Sequence, residues 1–210
     1  MIEPFGGSSM VEQKSLRPDL AAIARNIAPG SRVLDIGCGD GTLLSYLRAE
    51  HGVDARGMEI KPELVERCVA KGLSVVQGDA DRDLAEYPDK AFDYTVLSQT
   101  LQTAARPDHM LNQLLRVGRE AFVSFPNFAH WQTRTALMFG GRMPVTRALP
   151  VSWYATDNIH HVTIADFREL IAQMGVAVEG CWFFSGERAI SPGGANWRAE
   201  FAVFKLSRDL

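Results

Sequence analysis

Short apolar runs alternate with amphipathic segments along most of this chain, and this alternation limits its fold more than any other feature. The runs are bounded by glycine or proline, as is typical of strands buried on both faces. Between them, apolar residues recur about every three to four positions, which is the spacing of one helix face. The predicted strands are 31–36, 53–59, 73–77, 92–97, 121–125, 176–184 and 199–206, and the predicted helices are 18–28, 42–50, 62–71, 107–117 and 164–174.

The order of these segments predicts an α/β fold. Five strand–helix repeats precede two final strands, which are joined by a turn at 191–194 with no helix between them. Because parallel neighbours need crossover connections, we expect a seven-stranded, mostly parallel sheet with one antiparallel strand and helices on both faces. Ligands of such folds bind beyond the carboxyl ends of the strands, so the loop after the first strand is the first place to look for a site.

Residues 126–165 interrupt the alternation with about forty residues rich in Phe, Trp, Gly and Pro, a length unusual for a plain connection. We interpret them as a lid or docking insertion within a single domain at 16–210, because aromatic residues and Arg dominate protein–protein hot spots. Residues 1–15 are predicted to form a flexible N-terminal arm. The aromatic and basic residues of this region are Phe125, Phe128, Trp131, Phe139, Trp153 and Tyr154, interleaved with Arg134, Arg142 and Arg147.

The composition disfavours several classes of function. The 210 residues are 46% hydrophobic and 22% charged with a formal net charge of −3, so the chain has no overall basic character for nucleic acid. No apolar run reaches the about 18 residues of a membrane span, and the N-terminus lacks the pattern of a secretory signal. Cys38, Cys68 and Cys181 lie far apart, which disfavours a zinc site and fits free thiols in the cytoplasm.

A glycine-rich loop, Asp35-Ile36-Gly37-Cys38-Gly39-Asp40-Gly41, follows the first predicted strand and opens a helix. Its glycines allow positive φ and close approach of a ligand to the backbone. The dinucleotide pattern GxGxxG fails because Thr42 occupies the third glycine position. Asp35 and Asp40 would also repel a pyrophosphate, by roughly 4 kcal/mol for a like-charge pair about 4 Å apart at a dielectric of about 20. A cationic ligand without phosphate, such as S-adenosylmethionine, fits better, and an NAD(P)-dependent oxidoreductase is a weaker alternative.

Two later acids fit the same ligand. Glu59 ends the second predicted strand, where a carboxylate can accept hydrogen bonds from both ribose hydroxyls, although this feature fits NAD equally well. Asp79 follows the third predicted strand, where it can accept a hydrogen bond from the adenine amino group. For each residue the alternative is a solvated loop acid.

Together these residues resemble the class I S-adenosylmethionine-dependent methyltransferases, which implies a Rossmann-like fold from about residue 16 to the C-terminus. The resemblance implies that Asp35 lies near the methionine amino group of the cofactor and that Gly37 and Gly39 contact it through their backbone. It also implies that Glu59 holds the ribose and Asp79 the adenine of S-adenosylmethionine or S-adenosylhomocysteine. The remaining residues assigned to this cofactor site are Cys38, Ile60, Ala80 and Ser98.

A closer resemblance, to the methionine biosynthesis protein MetW family, comes from further segments. They are LRPDL at 16–20, VLDIGCGDGTLL at 33–44, LSQTLQ at 97–102, SFPNFAHW at 124–131 and WYATDNIHHVTIADF at 153–167. The resemblance implies an S-adenosylmethionine-binding accessory protein of methionine biosynthesis that acts with homoserine O-acyltransferase and supports its activity. The alternative is an S-adenosylmethionine-dependent methyltransferase that acts on a small molecule or a protein.

The sequence assigns no catalytic residue. Many small-molecule methyltransferases of this fold carry a histidine after the fourth strand, where the run Leu101-Gln102-Thr103-Ala104 places Thr103. A threonine hydroxyl does not act as a base at neutral pH, so methyl transfer itself stays an open question. His160 and His161 are further candidates, for which a structural pair is the alternative interpretation. No Asn/Asp-Pro-Pro-Tyr motif follows the fourth strand, which argues against methylation of nucleic acid bases.

Overall fold

The computed structural model describes residues 16–146 and 149–208, where strands and helices largely follow the predicted order. The strands are β1 (Arg32–Ile36), β2 (Asp54–Glu59), β3 (Ser74–Gln77), β4 (Phe92–Ser98), β5 (Gly118–Pro126), β6 (Ala177–Ser185), β7 (Arg188–Ile190) and β8 (Phe201–Ser207). The helices are α1 (Pro18–Arg25), α2 (Thr42–His51), α3 (Pro62–Ala70), α4 (Ala80–Asp83), α5 (Pro107–Val117), α6 (Trp131–Gly140), α7 (Ile164–Gln173) and α8 (Ala195–Arg198). The predicted arm at 1–15 and the basic residue Arg147 lie outside the described residues.

These strands form one sheet in the order β3-β2-β1-β4-β5-β8-β6-β7. β1 to β5 pair in parallel, whereas β8 runs antiparallel to both β5 and β6. β1 has β2 on one side and β4 on the other, so the strand order reverses at β1. The carboxyl end of β1 therefore lies at the crevice where open α/β sheets bind their ligands.

The predicted α/β fold is confirmed, but the predicted count of seven strands is wrong, because residues 16–146 and 149–208 form a sheet of eight. The additional strand is β7, which runs antiparallel to β6 and follows it through a tight turn at Gly186. The turn predicted at 191–194 is also followed by α8, where no helix was expected. Elements of three and four residues are too short to produce a recognisable periodicity, so the sequence did not reveal them.

The central strands of the sheet, β1, β4, β5 and β8, are largely buried on both faces, which explains their continuous apolar runs. Successive residues of a strand point to opposite faces, so Val33 joins a core cluster with α1 and α2, whereas Leu34 joins the cluster with α5 and α7. Phe122 and Val123 of β5 divide between the two clusters in the same way. Packing on both faces fixes the strands, and the strands in turn fix the loops at their carboxyl ends.

The segment between β5 and α7 contains a helix, α6, that the sequence did not predict. In this helix Thr133 is the buried residue, whereas Met138 is 72% and Phe139 80% exposed. The two ends of the segment are held together by Asn127, whose Oδ1 accepts hydrogen bonds from the backbone N–H groups of Ala129 (3.2 Å) and Ile164 (3.3 Å). The segment is thus anchored at its base while its outer helix is largely unpacked.

Candidate functional site

The glycine loop joins β1 to α2 in a backbone conformation that depends on its glycines. Gly37 and Gly39 have φ of +69° and +59°. A Cβ on Gly37 would lie 2.6 Å from Thr100 Oγ1, so this position has no room for a side chain. A Cβ on Gly39 would meet no atom within 4 Å, so the backbone there is open to a ligand.

A cavity of about 450 Å³ lies beside this loop at the carboxyl ends of β1 and β4. It is lined by five of the residues predicted to bind the cofactor, namely Asp35, Gly37, Cys38, Gly39 and Ser98. Arg17, Gln99 and Thr100 also line it but were not predicted. Arg17 arrives from a distant part of the chain, and Gln99 adopts a positive φ of 51° that no residue pattern reveals. The sequence signal that could have found them is the family resemblance of the segments that contain them, LRPDL for Arg17 and LSQTLQ for Gln99 and Thr100.

Asp35 contributes a buried carboxyl group to the cavity. The residue is 3% exposed, and its Oδ1 has no hydrogen-bond partner among the described residues. Burial raises the pKa of Asp35 to about 8; Arg17 opposes the rise and Glu59 adds to it. A cationic group in the cavity would stabilise the carboxylate form and give Oδ1 a partner.

Glu59, at the end of β2, holds the glycine loop in position. Its carboxylate is buried, with Oε2 accepting a hydrogen bond from Gly39 N at 2.9 Å and Oε1 accepting one from Lys61 N at 3.0 Å. A carboxylate oxygen has two lone pairs, so each oxygen keeps one acceptor site for a ribose hydroxyl. Glu59 does not line the cavity of about 450 Å³, but it adjoins the cavity through Gly39.

Ile60, Asp79 and Ala80 lie further along the same edge of the sheet and also do not line that cavity. Asp79 caps α4, with Oδ1 accepting a hydrogen bond from Asp81 N at 3.1 Å. Ile60 is 57% exposed. The contacts of these residues with adenine therefore stay predictions.

The loop after β4 supplies no histidine to the cavity. Thr103 occupies the position discussed above, and its hydroxyl donates a hydrogen bond to the carbonyl of Thr100 at 2.8 Å. The hydroxyl of Ser98 donates to Asp19 Oδ2 at 3.0 Å. Both hydroxyl protons are thus used in hydrogen bonds within the protein.

His160 and His161 lie where the insertion crosses the loop after β4. The backbone N–H groups of Ile159 and His160 both donate to the carbonyl of Gln102, at 2.8 and 3.0 Å. His161 packs edge-on against Phe128, with ring centroids 4.7 Å apart. Neither histidine lines the cavity beside the glycine loop. The segment therefore lies close to the candidate site, but its imidazoles lie outside it.

The aromatic residues predicted to mark the insertion separate into two groups. Phe125 and Phe128 are buried, so they do not contribute to a surface. The exposed group, which we call the aromatic surface, consists of Trp131, Met138, Phe139, Trp153 and Tyr154. Arg134 lies near it and stacks over Trp197 at 5.2 Å. The insertion thus presents apolar side chains outward, away from the core.

Two further properties concern metals and membranes. Among residues 16–146 and 149–208, no group of three or more His, Cys, Asp or Glu side chains is arranged to hold a metal ion. The helices in the same ranges are all too short or too polar to cross a bilayer.

Known families match nearly all of the described chain. A family model described as methionine biosynthesis protein MetW matches residues 17–206. A bifunctional methionine biosynthesis protein MetXA/MetW from Rhodopirellula baltica is 34% identical over 207 residues, which cover 93% of this chain and 33% of that protein. The chain therefore spans about a third of the length of this relative.

Methyltransferases show a second, more distant similarity. A ubiquinone biosynthesis O-methyltransferase from Xanthomonas oryzae is 33% identical over 135 residues, which cover 60% of this chain and 55% of that protein. The crystal structure of an S-adenosylmethionine-dependent methyltransferase from Mesorhizobium loti superposes with a TM-score of 0.67 at 19% identity, covering 91% of this chain and 96% of that one. At this identity the superposition establishes the fold alone. The chain belongs to the methionine biosynthesis protein MetW family and has the class I S-adenosylmethionine-dependent methyltransferase fold.

Proposed function

We propose that this chain is a cytoplasmic, S-adenosylmethionine-binding accessory protein of methionine biosynthesis that supports the activity of a homoserine O-acyltransferase. The observation that carries the cofactor part is the environment of Asp35. A buried acid with an unpartnered oxygen lies beside a glycine backbone that is open to a ligand. S-adenosylmethionine and S-adenosylhomocysteine both carry the ammonium group that such an acid would bind.

Different residues of the site would contact the two ends of the cofactor. Asp35 and the backbone of Gly37 and Gly39 would hold the methionine end within the cavity of about 450 Å³. Glu59, with one acceptor site left on each oxygen, would hold the ribose. Asp79, with its neighbours Ile60 and Ala80, would lie at the adenine end. Because Glu59 also binds Gly39, ribose binding and the shape of the loop would be coupled.

An accessory role is favoured over catalysis by the loop after β4. The Thr103 hydroxyl there donates to a backbone carbonyl, and both histidines of the insertion lie outside the cavity. Methyl transfer to a protonated acceptor benefits from a general base within hydrogen-bond reach. A site that binds the cofactor without such a group suits sensing better than transfer.

The partner is proposed from two observations. The Rhodopirellula baltica relative carries MetXA and MetW in one protein, and fused proteins often correspond to separate partners. The aromatic surface supplies exposed apolar side chains that a separate partner can contact, since aromatic side chains dominate protein–protein hot spots. No nucleic acid or membrane partner is proposed.

The decisive experiment measures homoserine O-acyltransferase activity with and without this protein across a titration of S-adenosylmethionine. We expect the protein to raise acyltransferase activity and the cofactor to change the size of the effect. A cofactor can regulate the pair only if the partner binds the loaded and empty forms differently. Equal acyltransferase activity with and without the protein at every cofactor concentration would contradict the accessory role.

Docking is tested with single substitutions in the aromatic surface. Phe139→Ala and Trp153→Ala remove side chains that are 80% and 73% exposed, so we expect loss of co-purification with the acyltransferase and little effect on stability. Val69→Ala, on the exposed face of α3, is the matched control. Equal co-purification by all three variants would mean that the partner docks elsewhere.

A methyltransferase is the second candidate, and the similarity to an O-methyltransferase over 60% of the chain supports it. Positioning of two reactants can accelerate a displacement without a strong base. Incubation with methyl-labelled cofactor and either a small-molecule extract or the acyltransferase tests this alternative. Transfer of label to an acceptor would favour it over the accessory role.

A further inference from the structure

A second cavity, of about 680 Å³, adjoins the loop after β4 at Gln99. It is enclosed by the start of α1, the end of β5, the turn between β6 and β7 and the start of β8. Arg17 and Gln99 line both this cavity and the one beside the glycine loop, so the two cavities are neighbours. None of the roles discussed so far uses the second cavity.

Asp19, in the first turn of α1, is the buried charge of this cavity. The residue is fully buried, and its Oδ2 accepts hydrogen bonds from Arg17 and from side chains at the ends of β4 and β5. The donors are Ser98 Oγ at 3.0 Å, Arg17 Nη2 at 3.1 Å, Ser124 Oγ at 3.2 Å and Gln99 Nε2 at 3.4 Å. These contacts tie α1 to the carboxyl ends of β4 and β5.

This structural role involves Oδ2 and leaves the environment of the second carboxylate oxygen, Oδ1, unexplained. Oδ1 is buried and has no hydrogen-bond partner among the described residues, although Oδ2 has four. Buried carboxylate oxygens are nearly always hydrogen-bonded, so Oδ1 has an acceptor site left for a group bound in the cavity. That group must donate a hydrogen bond, and a positive charge would also stabilise the carboxylate.

The rest of the cavity adds charges of both signs. Arg25 and Glu187 are exposed at its rim, and Arg17 is half-exposed. Glu200 also lines it and accepts a hydrogen bond from Gly186 N at 3.1 Å. The apolar walls include Phe184 and Phe201. Acids, arginines and apolar walls in one cavity match a small zwitterion with an apolar side chain.

We propose that this cavity is a binding site for an α-amino acid, whose ammonium group contacts Asp19 and whose carboxylate faces Arg17 and Arg25. The amino acid would lie next to the cofactor site, with Arg17 and Gln99 contacting both ligands. If the amino acid changes the affinity for the cofactor by some factor, the cofactor must then change the affinity for the amino acid by the same factor. The proposal does not depend on the acyltransferase partner or on methyl transfer.

Calorimetric titration of the full chain with L-methionine and with L-leucine tests the proposal, each in the absence and presence of S-adenosylhomocysteine. We expect at least one amino acid to bind. N-acetyl-L-methionine, which lacks the ammonium charge, should bind at least tenfold more weakly, and L-methioninamide, which lacks the carboxylate, should also bind more weakly. No binding of either amino acid under both conditions would overturn the proposal, and so would equal binding of the N-acetyl compound.

Substitutions test whether the amino acid binds in this cavity. Asp19→Asn should lower the affinity at least tenfold. Arg25→Gln, at the exposed rim, should lower it severalfold without affecting folding, because it removes a positive charge that faces the carboxylate of the amino acid. Arg67→Gln, exposed on α3, is the matched control and should bind like the wild type. If Asp19→Asn does not fold, Arg25→Gln decides, and unchanged affinity in that variant would overturn the proposal. S-adenosylhomocysteine affinity, measured in parallel, separates this outcome from a failure of the proposed cofactor site.

Discussion

At the scale of single residues, Asp35 makes the stability of the protein depend on pH in a direction opposite to that of most aspartates. Its pKa is raised by burial to about 8, so between about pH 4 and pH 8 the folded state holds a proton that the unfolded state has lost. The free energy of unfolding therefore falls as the pH rises through this window, by at most about 1.4 kcal/mol per pH unit from this group. We expect Asp35→Asn to lack this component, as urea unfolding of both proteins at several pH values would measure. Parallel pH profiles of the two proteins would contradict the assignment.

The same carboxyl group should make cofactor binding depend on pH. Below about pH 8 the ligand-free site is protonated, so binding of a cation must first remove that proton. We expect the affinity for S-adenosylhomocysteine to increase as the pH rises towards 8, as measured by calorimetry in buffers of different ionisation enthalpy. In Asp35→Asn the affinity should be lower and independent of pH over this range. A pH-independent affinity in the wild type would place the ligand's ammonium group away from Asp35.

Gly39 and Gly30 form a matched pair for testing the glycine loop. Both have positive φ, +59° and +71°, and a Cβ on either would meet no atom within 4 Å. Alanine at either position should therefore lower the free energy of unfolding by a similar amount, roughly 1–2 kcal/mol, through backbone strain. We expect Gly39→Ala to lose cofactor binding, because its methyl group would enter the cavity, and Gly30→Ala to keep it. Equal cofactor affinity in the two variants, measured by calorimetry, would mean that the loop does not contact the ligand.

Residues of the candidate site differ in how far the sequence could predict them. Asp35, Gly37 and Gly39 stand in a local pattern at a strand end, and the structure places them together around one cavity. Arg17 and Asp19 reach the ends of β4 and β5 through the packing of α1, which no local pattern encodes. For this reason the glycine loop was predictable, whereas the positions of Arg17 and Asp19 were not.

At the scale of elements, prediction depended on apolar periodicity. α5 was predicted at 107–117 and lies at Pro107–Val117, because proline opens it and Met110, Leu111, Leu114 and Leu115 form its buried face. α6 was missed because it buries Thr133 alone and so has no apolar stripe towards the core. A helix that packs so little of itself gains little stability from tertiary contacts. The exposed apolar side chains of α6, Met138 and Phe139, are therefore available to be buried against a partner.

Asn127 is the residue that should control the insertion as a unit. It accepts hydrogen bonds from Ala129 N and Ile164 N and donates one to the carbonyl of Ala199 at 2.8 Å, all in a buried site. Asn127→Ala would leave these backbone groups unsatisfied, so we expect a loss of about 3 kcal/mol in the free energy of unfolding. Asn112→Ala, at an exposed position of α5, is the control and should cost less than about 1 kcal/mol. Urea unfolding of both variants checks the difference, and similar losses would show that Asn127 does not anchor the insertion.

At the scale of the whole molecule, ligand binding should appear as thermal stabilisation. A ligand at about 100 times its Kd stabilises the folded state by about 2.7 kcal/mol, which corresponds to a rise in Tm of roughly 5–10 °C for a chain of this size. We expect this rise with S-adenosylhomocysteine and a smaller one in Asp35→Asn, as calorimetry would record. NAD at the same concentration is the control ligand and should leave Tm unchanged. A rise with NAD alone would favour the oxidoreductase alternative.

The two outermost strands of the sheet, β3 and β7, are only four and three residues long. A short edge strand offers few free backbone groups to an incoming strand. We therefore expect a partner to be recognised by side chains of this protein, and not by a strand added to the edge of the sheet. Surface side chains can diverge residue by residue, so the proposed partner could differ between family members while the fold that carries the proposed cofactor site stays the same.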